Sequence, residues 1–178
     1  MGVIISDLLG QLMKLKQISP WSPFESIKAN IANKKIISWL SEKGPITKRI
    51  KKHGKFKLHL IQDELSKISD DDKKFVNAES EKIKKREVLL LCNDSPVVFA
   101  QTIIPLETIE NGFNKLGNLG TKPLGDILFE KDIFLRELIL YASFKNESNI
   151  YWGRKAKYSV KGYKFSVMET FLMNENRS

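Results

Sequence analysis

Cysteine and histidine are scarce in this chain of 178 residues, which contains one cysteine, Cys92, and two histidines, His53 and His59. A single cysteine cannot form an internal disulfide bond. This favours a reducing compartment, so we expect a cytoplasmic protein. The three residues do not have a spacing typical of zinc ligands. The sequence therefore offers no case for a metal site.

The chain also lacks a long hydrophobic run. No stretch approaches the roughly 18 to 20 apolar residues that a membrane-spanning helix needs, so we expect no stable membrane insertion. No basic region or small-residue cleavage pattern accompanies the opening residues, so we expect no signal peptide. Instead, Ile4, Leu8, Leu12 and Leu15 recur at helical spacing. They predict an amphipathic helix that docks on the protein body, with a membrane-surface helix as the alternative.

Acidic residues are fewer than basic ones, with 21 Asp and Glu against 30 Lys and Arg and a formal net charge of +9. Such a charge can attract nucleic acid, and it can also steer a small anionic substrate towards its site. The basic clusters lack the interleaved aromatic residues typical of single-strand binders, and no familiar nucleic-acid motif is present. We therefore expect no nucleic-acid partner and mostly solvated lysines.

Repeats and flexible linkers are absent as well, so we expect residues 1–178 to form one domain. Alternating residues predict a strand at 56–60, and two β-branched runs predict a hairpin at 88–92 and 97–104. A second pair of strands is predicted at 151–160 and 165–172, joined by a turn at Lys161-Gly162. Helical segments are predicted at 26–40 and after Ser69. This order predicts an α+β fold with a mainly antiparallel sheet.

Four segments stand out when they are taken together. The first two are Trp39-Leu40 with Pro45-Ile46-Thr47-Lys48-Arg49, and Arg86-Glu87-Val88-Leu89-Leu90 with Phe99-Ala100-Gln101-Thr102-Ile103-Ile104-Pro105. The others are Leu119-Gly120-Thr121-Lys122-Pro123-Leu124-Gly125 leading to Leu128-Phe129, and Trp152-Gly153-Arg154-Lys155 with Glu169-Thr170-Phe171-Leu172. In this order and spacing, across residues 36–172, they resemble the chorismate lyase family of ubiquinone biosynthesis. Residues 1–35, interpreted as an N-terminal helical arm, add least to the match.

The resemblance implies an antiparallel sheet of about six strands with helices and two helical flaps over an internal ligand cavity. It also implies a monomeric, cofactor-free lyase that converts chorismate to 4-hydroxybenzoate and pyruvate, the first step of ubiquinone biosynthesis. Aromatisation of the ring drives this elimination, so the reaction requires no redox cofactor or metal. The protein must hold a flexible dianion and stabilise charge on the departing enolpyruvyl oxygen.

Arg86 and Glu169 are the catalytic residues that the resemblance implies. The Arg86 guanidinium can pair with a carboxylate through two hydrogen bonds, and its place at the start of an apolar hairpin favours an anionic ligand. The alternative is that Arg86 only ends a basic surface run. Glu169 shares one strand face with Phe165, Val167 and Phe171, and the resemblance assigns it to the product hydroxyl. The alternative for Glu169 is an edge-strand residue that points into water.

Further substrate contacts are implied at Ile46 and Leu124, through their main-chain amides. Gln101 stands where the best-known family members have an arginine, which is a candidate partner for the second carboxylate of the substrate. Gln101 or Arg154 could hold that carboxylate here, and Arg136 or Lys48 could also substitute. The sequence does not choose among them, and Arg154 could equally be structural.

A non-catalytic module that binds a small anion is the alternative function. The same fold serves as an effector-binding domain in some transcription regulators, which carry a helix-turn-helix domain ahead of it. We expect too little chain before Ile36 to hold such a domain. The regulators also need not keep a pair equivalent to Arg86 and Glu169.

Overall fold

The computed structural model describes residues 5–147 and 149–175. The helices are α1 (Ile5–Leu12), α2 (Phe24–Ile27), α3 (Lys34–Leu40), α4 (Ile46–His53), α5 (Asp70–Phe75) and α6 (Leu124–Glu130). The strands are β1 (Lys16–Gln17), β2 (Phe56–Leu65), β3 (Ile83–Cys92), β4 (Ser95–Pro105), β5 (Phe134–Asn146), β6 (Asn149–Val160) and β7 (Tyr163–Phe171). Single helical turns lie at Lys28–Asn30, Thr108–Gly112 and Asn114–Gly117.

The strands form one antiparallel sheet of seven strands in the order β1-β5-β6-β7-β4-β3-β2. This confirms the predicted α+β class and the mainly antiparallel sheet. The seventh strand, beyond the expected six, is the two-residue β1. Both predicted hairpins are present, and their two-residue turns have positive φ angles, 50° and 64° at Asn93 and Asp94 and 51° and 85° at Lys161 and Gly162. Such turns match the right-handed twist of paired strands.

Strand β5 was not predicted. Its first half places apolar residues at consecutive positions, and a register shift between Arg136 and Leu138 interrupts the pairing with β6. Leu135 and Leu138 are 64% and 40% exposed, so burial does not follow a simple alternation either. Because the period of two is broken, the sequence of β5 carries no clear strand signal.

The residues before α3 belong to the sheet as well as to helices. Strand β1 pairs with Phe144 and Lys145 of β5, and Ser22 exchanges two backbone hydrogen bonds with Tyr141. Among its described residues, the arm that was expected to be helical over residues 1–35 contains α1, α2 and the turn after it, and also the strand β1. Ile4, assigned above to the opening helix, lies outside the described residues, and Leu15 follows the end of α1. No helix in the described ranges is long and apolar enough to cross a membrane.

Two apolar clusters pack on the same side of the sheet. In the first, α3 and α4 cover β3, β4 and β7 through side chains such as Ile36, Leu40 and Ile50. In the second, Leu124 of α6 and Leu116 pack against strands β6 and β7. Burial of apolar surface provides the main stabilisation of both clusters, at roughly 25 cal/mol per Å². Polar and charged side chains collect between the two clusters, beneath the first turns of α4 and α6.

Candidate functional site

Two adjoining pockets lie between the sheet and the helices α4 and α6. One contains Arg86 and has a volume of about 40 Å³, and the other contains Arg154 and has a volume of about 50 Å³. Four residues line both pockets: Ile46, Gly125, Val167 and Glu169. The pockets therefore adjoin at these four residues, with Glu169 at their junction, and the two together are called the cavity below.

Arg86 lies on β3, and only 2% of it is exposed. Its Nη2 donates to the carbonyl oxygens of Gly120 and Lys122, each at 2.9 Å, so the loop before α6 holds the guanidinium in place. Its Nε is buried and has no hydrogen-bond partner among the described residues. Burial lowers the pKa of Arg86 from its usual value, and the charge of Asp63 opposes that shift. A buried donor without an acceptor is costly, and a bound anion would satisfy it.

Gly120 explains how the loop reaches Arg86. Its φ of +55° lies in the left-handed region, which glycine adopts without steric penalty. In this conformation the carbonyl oxygens of Gly120 and Lys122 both point towards the Arg86 guanidinium and accept its hydrogen bonds. The interpretation of Arg86 as the exposed end of a basic run does not fit this buried position.

Glu169 lies on β7, opposite Arg154 of β6 and Ala100 of β4. Its Oε2 accepts a hydrogen bond of 2.6 Å from Arg154 Nε, and the Glu169 side chain is 18% exposed. Alternation along β7 puts Phe165, Val167, Glu169 and Phe171 on one face, as predicted, and that face lines the cavity and its flanking clusters. The carboxylate is therefore held from one side and open to the cavity on the other.

Arg154 is 7% exposed and is already well partnered. In addition to its bond with Glu169, its Nη1 donates to the carbonyl oxygens of Leu40 at 3.1 Å and Glu42 at 2.6 Å. Burial alone would lower the pKa of Arg154, but the charge and hydrogen bond of Glu169 outweigh it, and the pKa is raised. Arg154 thus connects the sheet to the segment that follows α3.

Ile46 and Leu124 are the first residues of α4 and α6, and both line the Arg86 pocket. The first amides of a helix have no acceptor within that helix, so they can bind an acceptor supplied from outside. The two helices are joined by a hydrogen bond of 2.6 Å from Thr47 Oγ1 to Asp126 Oδ1. This bond holds the two helix starts together above the cavity.

Gln101 lies outside both pockets. Its neighbours Ala100 and Thr102 line the Arg86 pocket, so strand alternation directs Gln101 to the opposite face of the sheet. There its amide donates to Glu87 Oε1 at 2.9 Å. Of the eight residues that the sequence analysis named as substrate contacts or alternatives, six line the cavity, and Gln101 and Lys48 do not.

A family model described as chorismate lyase matches residues 15–176 of the chain. The chain belongs to the chorismate lyase family. The match begins well before residue 36, so it includes β1 and α2 as well as the motifs recognised in the sequence.

Individual members of the family are similar to this chain over most of their length. A probable chorismate pyruvate-lyase of Pseudoalteromonas translucida is 32% identical over 148 residues, covering 75% of this chain and 82% of the relative. One of Psychromonas ingrahamii is 30% identical over 167 residues, covering 85% and 89%. A chorismate pyruvate-lyase of Serratia proteamaculans is 28% identical over 144 residues, covering 77% and 78%.

Several solved structures share the fold of this chorismate lyase family member. A transcriptional regulator of the GntR family from Bacillus cereus aligns with a TM-score of 0.51 at 8% identity, covering 69% of this chain and 94% of that protein. PhnF of Mycobacterium smegmatis aligns with a TM-score of 0.55 at 10% identity, covering 95% of this chain and 94% of that protein. The effector domain of PhnF aligns with a TM-score of 0.52 at 10% identity, covering 75% and 90%. At such low identity the likeness concerns the fold alone, because one fold can serve different functions.

Tyr158 is a cavity residue of this chorismate lyase family member that the sequence analysis missed. It lines the Arg154 pocket together with Arg136, which lies opposite it on β5. The alternation of Arg154, Ala156 and Tyr158 along β6 was the available signal. Lys48, the remaining alternative for the second carboxylate, does not line either pocket.

Proposed function

We propose that the chain is a lyase that converts chorismate to 4-hydroxybenzoate and pyruvate without a cofactor. The observation that carries this proposal is the buried Arg86, whose Nε lacks a partner in a cavity that also contains Glu169. Membership of the chorismate lyase family and the similarity to chorismate pyruvate-lyases support it. The cavity therefore suits an anion that also carries a hydroxyl group.

The elimination needs one bond cleavage and one hydrogen transfer. The ether bond between the ring and the enolpyruvyl oxygen breaks, and the hydrogen on the hydroxyl-bearing ring carbon is lost, which makes the ring aromatic. That hydrogen is balanced by the proton that converts the departing enolpyruvate to pyruvate. The chain would contribute by fixing the substrate in a reactive geometry and by stabilising negative charge as it develops.

In this proposal, Arg86 receives the ring carboxylate through Nε, with support from the main-chain amides of Ile46 and Leu124. A guanidinium fork and two backbone donors give a carboxylate both charge compensation and a fixed orientation. Glu169 receives the ring hydroxyl on its Oε1, since its Oε2 is occupied by Arg154. Hydrogen bonds at both ends of the ring would hold it across the junction of the two pockets.

We also propose that the chain acts as a monomer in the cytoplasm, at the first step of ubiquinone biosynthesis. The monomeric state is the one implied by the resemblance to the chorismate lyase family. The single cysteine suits a reducing compartment.

The test is to incubate the purified protein with chorismate in the presence of a metal chelator and to quantify both products. We expect equal amounts of 4-hydroxybenzoate and pyruvate, formed faster than in a protein-free control. An Arg86→Ala variant, checked by circular dichroism for intact folding, should have lost this activity. Absence of turnover would refute the lyase proposal, and tight 4-hydroxybenzoate binding without turnover would favour the anion-binding alternative.

A further inference from the structure

Arg136 is an exposed arginine that lines the Arg154 pocket and forms no ion pair with a carboxylate of the described residues. It lies on β5, directly opposite Tyr158 of β6, and both side chains line this pocket. Arg136 forms no ion pair with any Asp or Glu in the part of the chain that the structure describes. A hydrogen bond links its side chain to that of Tyr158.

The other charged groups of this pocket are already paired or lie at its rim. Glu169 compensates Arg154, whose Nη1 is committed to two backbone carbonyls. Glu42 accepts from the Gly44 amide at 3.0 Å and pairs with Arg49 at 3.4 Å. Among the charged side chains that line this pocket, Arg136 and the exposed Lys43 are therefore the ones left without an ion-pair partner in the described residues.

Each half of the cavity therefore has a guanidinium that forms no ion pair with a carboxylate of the described residues. Arg86 supplies it in one pocket and Arg136 in the other, and Glu169 stands at the junction between them. Chorismate has a matching arrangement, because it carries two carboxylates and a ring hydroxyl. One carboxylate is attached to the ring, and the other belongs to the enolpyruvyl group beside that hydroxyl.

We propose that Arg136, together with the Tyr158 hydroxyl, binds the enolpyruvyl carboxylate of the substrate while Arg86 binds the ring carboxylate. This inference rests on the lyase function proposed above. It gives Arg136 a role in substrate specificity that Gln101, on the opposite face of the sheet, does not fill. Arg154 has already committed its Nε to Glu169 and its Nη1 to two backbone carbonyls. Burial raises the pKa of Tyr158, as does the charge of Glu169, so its hydroxyl stays protonated and can donate.

The two ligands of the enzyme should respond differently to the loss of Arg136. The substrate has an enolpyruvyl carboxylate, whereas 4-hydroxybenzoate has only the ring carboxylate and the hydroxyl. A merely structural role for Arg136 would affect both ligands, but a contact with the enolpyruvyl carboxylate affects the substrate alone. The comparison of these ligands therefore isolates the proposed contact.

The experiment compares Arg136→Gln with the unchanged chain and with Lys145→Gln as a matched control. Lys145 lies exposed on the same strand, outside the cavity, and its substitution removes the same charge. We expect Arg136→Gln to raise KM for chorismate roughly 10- to 100-fold, the range for a lost charge-assisted hydrogen bond. The calorimetric Kd for 4-hydroxybenzoate should stay within about twofold, and Arg136→Lys should restore part of the lost KM.

Three outcomes would overturn the inference. An unchanged KM in Arg136→Gln, with normal turnover by the unchanged chain, would exclude the proposed contact and leave the lyase function standing. Equal weakening of both ligands would assign Arg136 a structural role. Absence of turnover by the unchanged chain would overturn the lyase function itself and, with it, this inference.

Discussion

At the scale of single residues, the most informative group is the buried guanidinium of Arg86. Removing a cation from water costs several kcal/mol, and two carbonyl acceptors without a carboxylate compensate this cost only in part. Such a group lowers stability in the free protein and gains its partner when an anion binds. Under the proposed function, the buried charge of Arg86 therefore lowers the stability of the free protein and is needed to bind the substrate.

Arg86→Met should separate these two effects. Methionine fills a similar volume without charge, so we expect turnover to be lost while the free energy of unfolding falls by no more than about 1 kcal/mol. Urea denaturation and the chorismate assay measure the two quantities on the same preparation. Retained turnover, or a collapse in stability, would contradict the role proposed for Arg86.

For the ion pair of Arg154 and Glu169 we expect a large loss of stability, in contrast to Arg86→Met, because removing one partner leaves the other charge buried and unpaired. Glu169→Leu leaves a buried guanidinium without its carboxylate, and we expect a loss of about 3 kcal/mol in the free energy of unfolding. The double variant Arg154→Leu/Glu169→Leu should lose less than the sum of the two single changes. Urea denaturation of the unchanged chain, the two single variants and the double variant completes this double-mutant cycle. Additive losses in the free energy of unfolding would show that the two side chains are not coupled.

Sequence patterns could predict part of this pairing. The two-residue turn at Lys161-Gly162 sets the register of β6 and β7, and counting back from it places Arg154 opposite Glu169. The same count from the turn at Asn93-Asp94 would place Arg86 opposite Gln101. A register shift between Leu90 and Leu91 moves Arg86 to Thr102 instead. A register shift of this kind depends on how the strands pack in three dimensions. The strand pattern alone therefore could not show that Gln101 lies on the face of the sheet opposite to Arg86.

At the scale of elements, the segment between α3 and α4 sets the position of the Ile46 amide. Glu42 stabilises this segment through the Gly44 amide and Arg49, and the Gly44 hydrogen bond is the main reason that the pKa of Glu42 is lowered. A lowered pKa in the folded state means that ionised Glu42 stabilises the fold above its ordinary pKa. This stabilisation is lost as the pH falls through the folded-state pKa.

Glu42→Gln should therefore lower stability at neutral pH and not in acid. We expect a difference below about 1 kcal/mol at pH 7, because Glu42 is partly exposed, and a difference that shrinks as the pH falls below 4.5. Thermal unfolding of both proteins between pH 7 and acid pH measures this difference in stability. Glu110→Gln, on an exposed turn, controls for the removal of a negative charge. A difference that is constant with pH would contradict the linkage.

The bond between Thr47 and Asp126 joins α4 to α6 above the Arg86 pocket. If these helices must separate before the product leaves, then Thr47→Val, which removes the bond and keeps the shape, should speed product release several-fold. Stopped-flow displacement of 4-hydroxybenzoate measures the release rate. An unchanged rate would show that the bond does not restrain the helices.

The elements themselves were predictable where one simple pattern dominates. The β3–β4 hairpin has apolar, β-branched runs around a short polar turn, and Ser69 accepts from the Asp72 amide as the predicted cap of α5. Strand β5 lacks such a pattern because it combines a register shift with exposed leucines. Its two-residue partner β1 is too short to have a period of its own.

At the scale of the whole molecule, fold and function separate. The fold is shared with a transcriptional regulator at 8% identity, so the fold alone does not distinguish a lyase from an anion sensor. Under the proposed function, the two are distinguished by the content of the cavity, where Arg86 lines one pocket, Arg136 lines the other and Glu169 lines both. The net charge of +9 is consistent with attraction of a dianion to this cavity.

The most direct test of the account is a crystal structure of the protein with bound 4-hydroxybenzoate. We predict that the ligand carboxylate lies within hydrogen-bond distance of Arg86 Nε and of the Ile46 and Leu124 amides, with its hydroxyl on Glu169. A ligand bound elsewhere, or one that leaves Arg86 Nε without a partner, would contradict the central claim that Arg86 is held in readiness for a carboxylate.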